Sequence, residues 1–177
     1  MNGKKHEKGK EYEEQIKTYS ISIKNAKSSK KVEQTISIYE GEYLNGKRHG
    51  KGKEYIAKST SLRIRIECFE EYNFKEDKSF KLIFSGQYEK GKRKKGILYT
   101  YNNDKSIIEN EYEDGKVNRR FKEYNINGQL IFEGEYLGNK NKKGKSYTYN
   151  NKDIFIEEGL FLKGKKMENL MNIIIIN

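Results

Sequence analysis

Two histidines, one cysteine and a set of recurring carboxylates are the residues of this 177-residue chain that could do covalent or acid–base chemistry. His6 and His49 stand at one and the same place in two similar stretches, Asn2 to Tyr12 and Asn45 to Tyr55, which agree at all but two positions. A histidine repeated in that way reads as part of a turn and not as a base. Cys68 has no His–Asp arrangement around it and, as the single cysteine, offers neither an internal disulfide nor a metal cluster. It reads as a half-buried strand residue. Glu42, Glu111 and Glu135 also recur, on the solvent side of a strand by their spacing. Paired carboxylates do acid–base work when a pocket drives their pKa values apart, and repeated exposed positions are not expected to form one. Asn139 to Ser146 falls short of a phosphate-binding loop, with Asn139 where the first glycine belongs. That loop must run into a helix, whereas Tyr147-Thr148-Tyr149 reads as a strand. The residues point away from an enzyme, and no cofactor or metal is expected.

Charge is the remaining chemistry. The chain carries a net charge of +11, and its bases gather beside Asn-Gly and Lys-Gly pairs. Lys47, Arg48 and Lys51 form one group, Lys92, Arg93, Lys94 and Lys95 a second, and Lys142, Lys143 and Lys145 a third. If these groups mark hairpin turns stacked in register, they form a basic ridge. Such a ridge draws an anionic lipid surface with about 1 kcal/mol per base. The alternative is that the lysines keep turns solvated and guard strand edges against aggregation. Nucleic acid is a poorer fit, because it needs bases and aromatics on one surface and the spacing sets them apart.

The element that must position these groups is a short repeat. Tyr39-Glu40-Gly41-Glu42-Tyr43 alternates with period two, as a half-buried strand does. Asn45-Gly46 supplies turn chemistry and Gly50 to Tyr55 reads as the return strand, so the unit is a β-hairpin. Copies start at Phe84, Ile108 and Phe132, and a weaker one spans Glu158 to Lys165. Aligned on Tyr88, Tyr112, Tyr136 and Phe161 the steps are 24, 24 and 25 residues, and the 45 residues from Tyr43 to Tyr88 leave room for two units. Glu70 to Lys75 reads as the missing copy, and Ile21 to Lys27 as another with Ala26 in place of the turn glycine. The count is then seven units and a leading half-unit. Counting in twos places Tyr39, Tyr43, Phe84, Tyr88, Tyr112, Phe132 and Tyr136 on one face of their strands. They form an aromatic stripe, structural or lining a groove.

The pattern aromatic-x-Gly-Glu-aromatic-x-x-Gly-Lys-x-x-Gly-x-Gly resembles the MORN repeat (membrane occupation and recognition nexus). The resemblance covers residues 1–166, strongly at 39–55 and 130–147 and weakly at 16–32 and 62–80, where glycines are lost. It implies an all-β fold, an elongated single antiparallel sheet of consecutive hairpins, and an interaction or scaffold role. Such arrays are linked to acidic phospholipid binding and homodimerisation, and occur as accessory segments beside lipid-kinase or methyltransferase domains. Units such as Phe121 to Tyr136 also resemble a bacterial variant of the repeat found in antitoxin-like proteins.

Composition agrees with a repeat array. With 33% hydrophobic and 36% charged residues a single globular core would be thin, yet 14 Tyr and 8 Phe fall periodically and proline is absent. Stacked hairpins resolve the conflict, because each buries a little surface against its neighbours. The expected organisation is an array over 1–166, regular at 39–55 and 81–166 and degenerate at 16–32 and 56–80, with 167–177 a tail or closing strand. Residues 1–12 are expected to be a return strand without a partner, Lys24 to Lys31 a loop, and Leu62 to Ile66 a strand. The start in mid-unit reads equally as a piece of a longer protein. With no signal peptide and no apolar run of membrane length, a cytoplasmic location is expected, free or peripheral to membrane or cytoskeleton. A protein partner or homodimer is the first functional reading. The alternatives are an anionic, phosphoinositide-bearing membrane bound through the ridge, and an accessory segment of a longer enzyme.

Overall fold

The computed structural model describes residues 6–22, 28–66, 69–138, 141–150, 153–162, 165–167 and 173–176. Among them every regular element is a strand and there is no helix. The strands are β1 (His6–Ile21), β2 (Ser28–Leu44), β3 (Lys47–Ile66), β4 (Phe69–Glu89), β5 (Lys92–Tyr101) and β6 (Ile107–Glu113). They continue as β7 (Lys116–Tyr124), β8 (Leu130–Tyr136), β9 (Asn141–Tyr149), β10 (Ile154–Leu162), β11 (Lys165–Lys166) and β12 (Ile173–Ile176). Sheet order follows chain order from β1 to β11, and β12 pairs with β10. The fold is the expected one, antiparallel strands joined as consecutive hairpins. Contacts divide the chain into two compact units, Met1–Ser85 and Gly86–Asn177.

In the first unit the strands are long. β2 and β3 meet at Asn45-Gly46, where both residues have positive φ (54° and 71°), the two-residue turn that matches strand twist. Their ladder runs from Leu44↔Lys47 to Ser28↔Arg65, broken by a bulge at Gly41/Glu42. There Gly50 takes a φ of 61°. β1 is not partnerless. It pairs with β2 along its whole length, His6↔Leu44 to Ile21↔Ser29: the motif strand Ile38 to Leu44 takes His6 to Tyr12, and its extension over 29–38 carries the pairing on to Ile21. β-Branched residues such as Val32, Thr35, Ile36 and Ile38 favour that extension. Lys24 to Lys31 is therefore not all loop: Ser28 to Lys31 lie in β2, and 23–27 fall outside the described residues. The seven-unit count fails at Glu70 to Lys75, which lies inside β4 without a turn. Of the weakly matching stretches, the described residues 16–21, 28–32, 62–66 and 69–80 lie in long strands. Leu62 to Ile66 is strand, as expected. Cys68 lies outside the described residues.

In the second unit β5 to β9 are 7 to 10 residues long. Lys90-Gly91 and Asp114-Gly115 repeat the positive-φ turn of Asn45-Gly46. Asn102 to Ser106 and Asn125 to Gln129 close the alternate connections, where Asp104 and Asn125 side-chain oxygens accept backbone N–H groups. Phe121, Phe132 and Phe161 make the core, with Ile108 and Tyr136 packed on it. Phe121 stacks on Tyr136 at 4.0 Å between ring centres and on Phe132 at 5.3 Å. Cross-strand glycines let the backbones approach closely, Gly134 facing Gly144 and Gly144 facing Gly159; a Cβ on Gly134 or Gly144 would meet the neighbouring strand's backbone. Ile173–Ile176 pairs with Ile154 to Glu157, an added strand on β10.

Candidate interaction surface

The aromatic stripe lies inside the fold. Tyr39 and Phe84 are fully buried, Tyr88 and Phe132 are buried, and Tyr43, Tyr112 and Tyr136 are half-buried. In the first unit, Arg48 lies 4.5 Å above the Tyr39 ring. Its guanidinium donates to Glu11 on β1 and to Glu54 on β3, the latter at 3.2 Å. The second unit repeats the device. Lys142 sits 4.9 Å from the Phe121 ring centre and 5.2 Å from that of Phe132, and pairs with Glu123 at 2.8 Å. A carboxylate from one side and a base from the other thus close over the buried ring. The Tyr39 hydroxyl donates to the Glu42 carbonyl at 3.1 Å, and burial, reinforced by Tyr43, pushes its pKa up to about 12.

The expected ridge is therefore thinner than its residue list. Arg48 and Lys142 turn inward onto the rings. Lys94 reaches Asp114 at 2.6 Å and Glu89 at 3.8 Å, and the Asp114 bond raises its pKa. Lys95 pairs with Glu113 at 3.1 Å. Arg93 is half-buried and engaged. Lys47, Lys51, Lys92 and Lys143 remain exposed, and Lys145 is half-buried. Lys142, Lys143 and Lys145 are strand residues of β9, not turn residues. His49 likewise lies in β3 opposite Glu42, beyond the turn.

The other face of the second unit carries an open groove of about 1260 Å³. Strand register aligns its charges in two rows. One runs Tyr99, Glu109, Lys122, Glu133, Lys145, Glu158 across β5 to β10. The second falls into two pieces, Ile97 with Glu111 on β5 and β6, and Arg120, Glu135, Lys143 and Leu160 on β7 to β10, because a register shift at Asn110/Tyr112 leaves Glu111 without a partner on β7. Five carboxylates and four bases line the groove, Glu109, Glu111, Glu133, Glu135 and Glu158 against Arg120, Lys122, Lys143 and Lys145. Glu111 and Glu135, read from sequence as plain solvent-face residues, thus do line a cavity. Tyrosines pin two of its carboxylates. Tyr124 donates to Glu109 at 3.1 Å and Tyr147 to Glu133 at 2.6 Å. Burial first, then these carboxylates, hold both phenols near a pKa of about 12. Lys122 approaches Glu133 to 4.0 Å.

This alternation is set by strand pairing, so it could have been found by aligning the return strands against the motif strands. Reading each strand alone hides it. Asn141 to Tyr149 is strand throughout, without the helix a phosphate-binding loop needs. No helix among the described residues is long and apolar enough to cross a membrane.

The hairpin array with its buried aromatic stripe defines a repeat protein. The family model of the MORN repeat matches residues 39–61, within β2 and β3, so the chain carries a MORN repeat where the motif is fullest. No curated protein matches the chain.

Proposed function

We propose that the chain is a non-catalytic MORN-repeat module that mediates protein–protein association, through the charge-striped face of the second unit. The observation that supports this reading most is the groove itself. It presents ordered charges of both signs beside Ile97, Tyr99 and Leu160. With five carboxylates to four bases it is nearly neutral in a chain of net charge +11. A face of that kind suits a protein surface of matching pattern and gives an anionic membrane no net attraction. The test is co-purification from the producing cells with the wild type and with Lys143→Glu/Lys145→Glu. The partner set is expected with the wild type and lost with the folded variant; an unchanged set contradicts this assignment. The membrane alternative draws on Lys47, Lys51 and Lys92. Sedimentation with phosphoinositide vesicles that disappears when Lys92, Arg93, Lys94 and Lys95 become Glu would establish it instead.

A further inference from the structure

We infer that the charge-striped face docks an α-helix of a partner protein, laid across the strands, with bases and acids at alternate turns of one side. This rests on the reading above and names the kind of partner. The argument lies in the sign that each strand carries. β6 presents Glu109 and Glu111 to the groove, and β8 presents Glu133 and Glu135. Alternating with these, β7 presents Arg120 and Lys122, and β9 presents Lys143 and Lys145. Glu158 on β10 ends the series. The members of each pair stand two residues apart on one strand and so share a face. These stripes do not need unbroken register. Glu111, set off by the shift at Asn110/Tyr112, still lines the groove with Glu109. Along a line that crosses the strands, the sign reverses at each one.

Spacing selects the partner. Neighbouring strands lie about 4.8 Å apart, so β6 to β10 span about 19 Å. One side of an α-helix offers a side chain at every turn of about 5.4 Å, or about 22 Å over the same four steps. The long side chains of Lys and Glu absorb that difference. An extended strand offers one about every 6.8 Å, and over four steps it overshoots by more than a whole stripe. The matching helix carries bases opposite β6, β8 and β10 and acids opposite β7 and β9. Bases and acids three or four residues apart also stabilise the helix itself. At β5 the groove ends on Ile97, with Tyr99 beside it in row with Glu109, so an apolar residue belongs at the next turn. A helix of one sign throughout would face like charge at every second stripe.

The stripes have pairing capacity to offer. Among the described residues the ion pair inside them is the long Lys122–Glu133 contact of 4.0 Å. Lys145 stands opposite Glu133 and Glu158 and Lys143 opposite Glu135, yet among the described residues neither lysine closes an ion pair with them.

Fluorescence anisotropy of two labelled helical peptides of about 18 residues, titrated with the purified full chain, tests this. The first peptide carries the matching alternation. The second has the same residues regrouped so that sign reverses only every second turn, which sets about half its turns against like charge in any register. The first is expected to bind with a dissociation constant of about 100 μM or tighter at about 0.05 M salt, and the second at least about tenfold more weakly. Equal binding of the two, or no binding of the first up to about 100 μM, overturns the inference. Lys143→Glu/Lys145→Glu is expected to weaken the first peptide at least about tenfold, and a peptide with Lys in place of its Glu opposite β9 to recover the loss. No recovery contradicts the assignment of stripes to turns. Should that variant fail to fold by circular dichroism, Arg120→Glu/Lys122→Glu replaces it, with Lys in the peptide opposite β7 and the same outcomes. Absence of peptide binding, with cellular partners still lost in Lys143→Glu/Lys145→Glu, would sink the helix and leave the association function standing. An unchanged partner set in that variant would remove both.

Discussion

At the scale of single residues, the motif's glycines and its second post-turn base carry the fold. A Cβ on Gly134 would lie 2.1 Å from the Lys143 carbonyl oxygen and 2.8 Å from the Gly144 Cα. Backbone cannot give way there as a side chain would. Gly134→Ala is expected to cost about 1–3 kcal/mol by overpacking. Gly46, with nothing within 4 Å of its would-be Cβ but a φ of 71°, should cost only about 1 kcal/mol as alanine. Urea unfolding of the two variants checks the order, and a reversed order contradicts it. Lys142→Ala should cost about 1–2 kcal/mol through the lost cation–ring contact. Lys142→Arg should restore most of it in the same measurement. The inward turn of Arg48 and Lys142 was within reach of the sequence. Period two carried across the Asn45-Gly46 turn sets Arg48 opposite Tyr43, on the aromatic face. Reading all bases near a turn as one ridge ignored that parity.

At the scale of elements, hairpins were legible because turn and strand signals coincide. Asn45-Gly46 and Asp114-Gly115 adopt the positive-φ conformation their types favour, and Lys90-Gly91 adopts it through its glycine, with Lys90 held at a φ of 53°. The long arms of β1 to β4 were not, since an alternating run looks alike whether it belongs to a new unit or prolongs an old one. Partner strands decide that, and they are remote in sequence: Ile21 meets Ser29, but His6 meets Leu44. Tyrosine hydroxyls tie adjacent strands in the second unit, Tyr124 of β7 to Glu109 of β6 and Tyr147 of β9 to Glu133 of β8. Both phenols, and Tyr39, are pushed from 10.0 up to about 12. A raised folded-state pKa favours the protonated form, so its contribution is whole below pH 10 and is lost as pH rises towards 12. Thermal stability should therefore fall across that window, and Tyr147→Phe should flatten the fall. An equal alkaline loss in wild type and variant would contradict the role of that hydroxyl.

At the scale of the molecule, net charge is a poor guide to where a partner binds. The +11 is read from sequence at once, but its distribution depends on register. Lys94 and Lys95 of β5 are tied to Asp114 and Glu113 at the end of the neighbouring β6, and the groove face is close to neutral. The MORN resemblance made the fold legible; the charge rows required the pairing of β5 through β10. Anionic vesicles are accordingly expected to leave the chain in the supernatant at about 0.15 M salt, where a few exposed bases are largely screened. The most direct test of the account is lysine footprinting in extract of the producing cell, with the diluted pure chain as reference. Protection confined to Lys122, Lys143 and Lys145, with Lys47, Lys51 and Lys92 as reactive as in the reference, is the predicted result. Protection of Lys47, Lys51 and Lys92 with the groove lysines left reactive would contradict it, and would return the working surface to the hairpin turns.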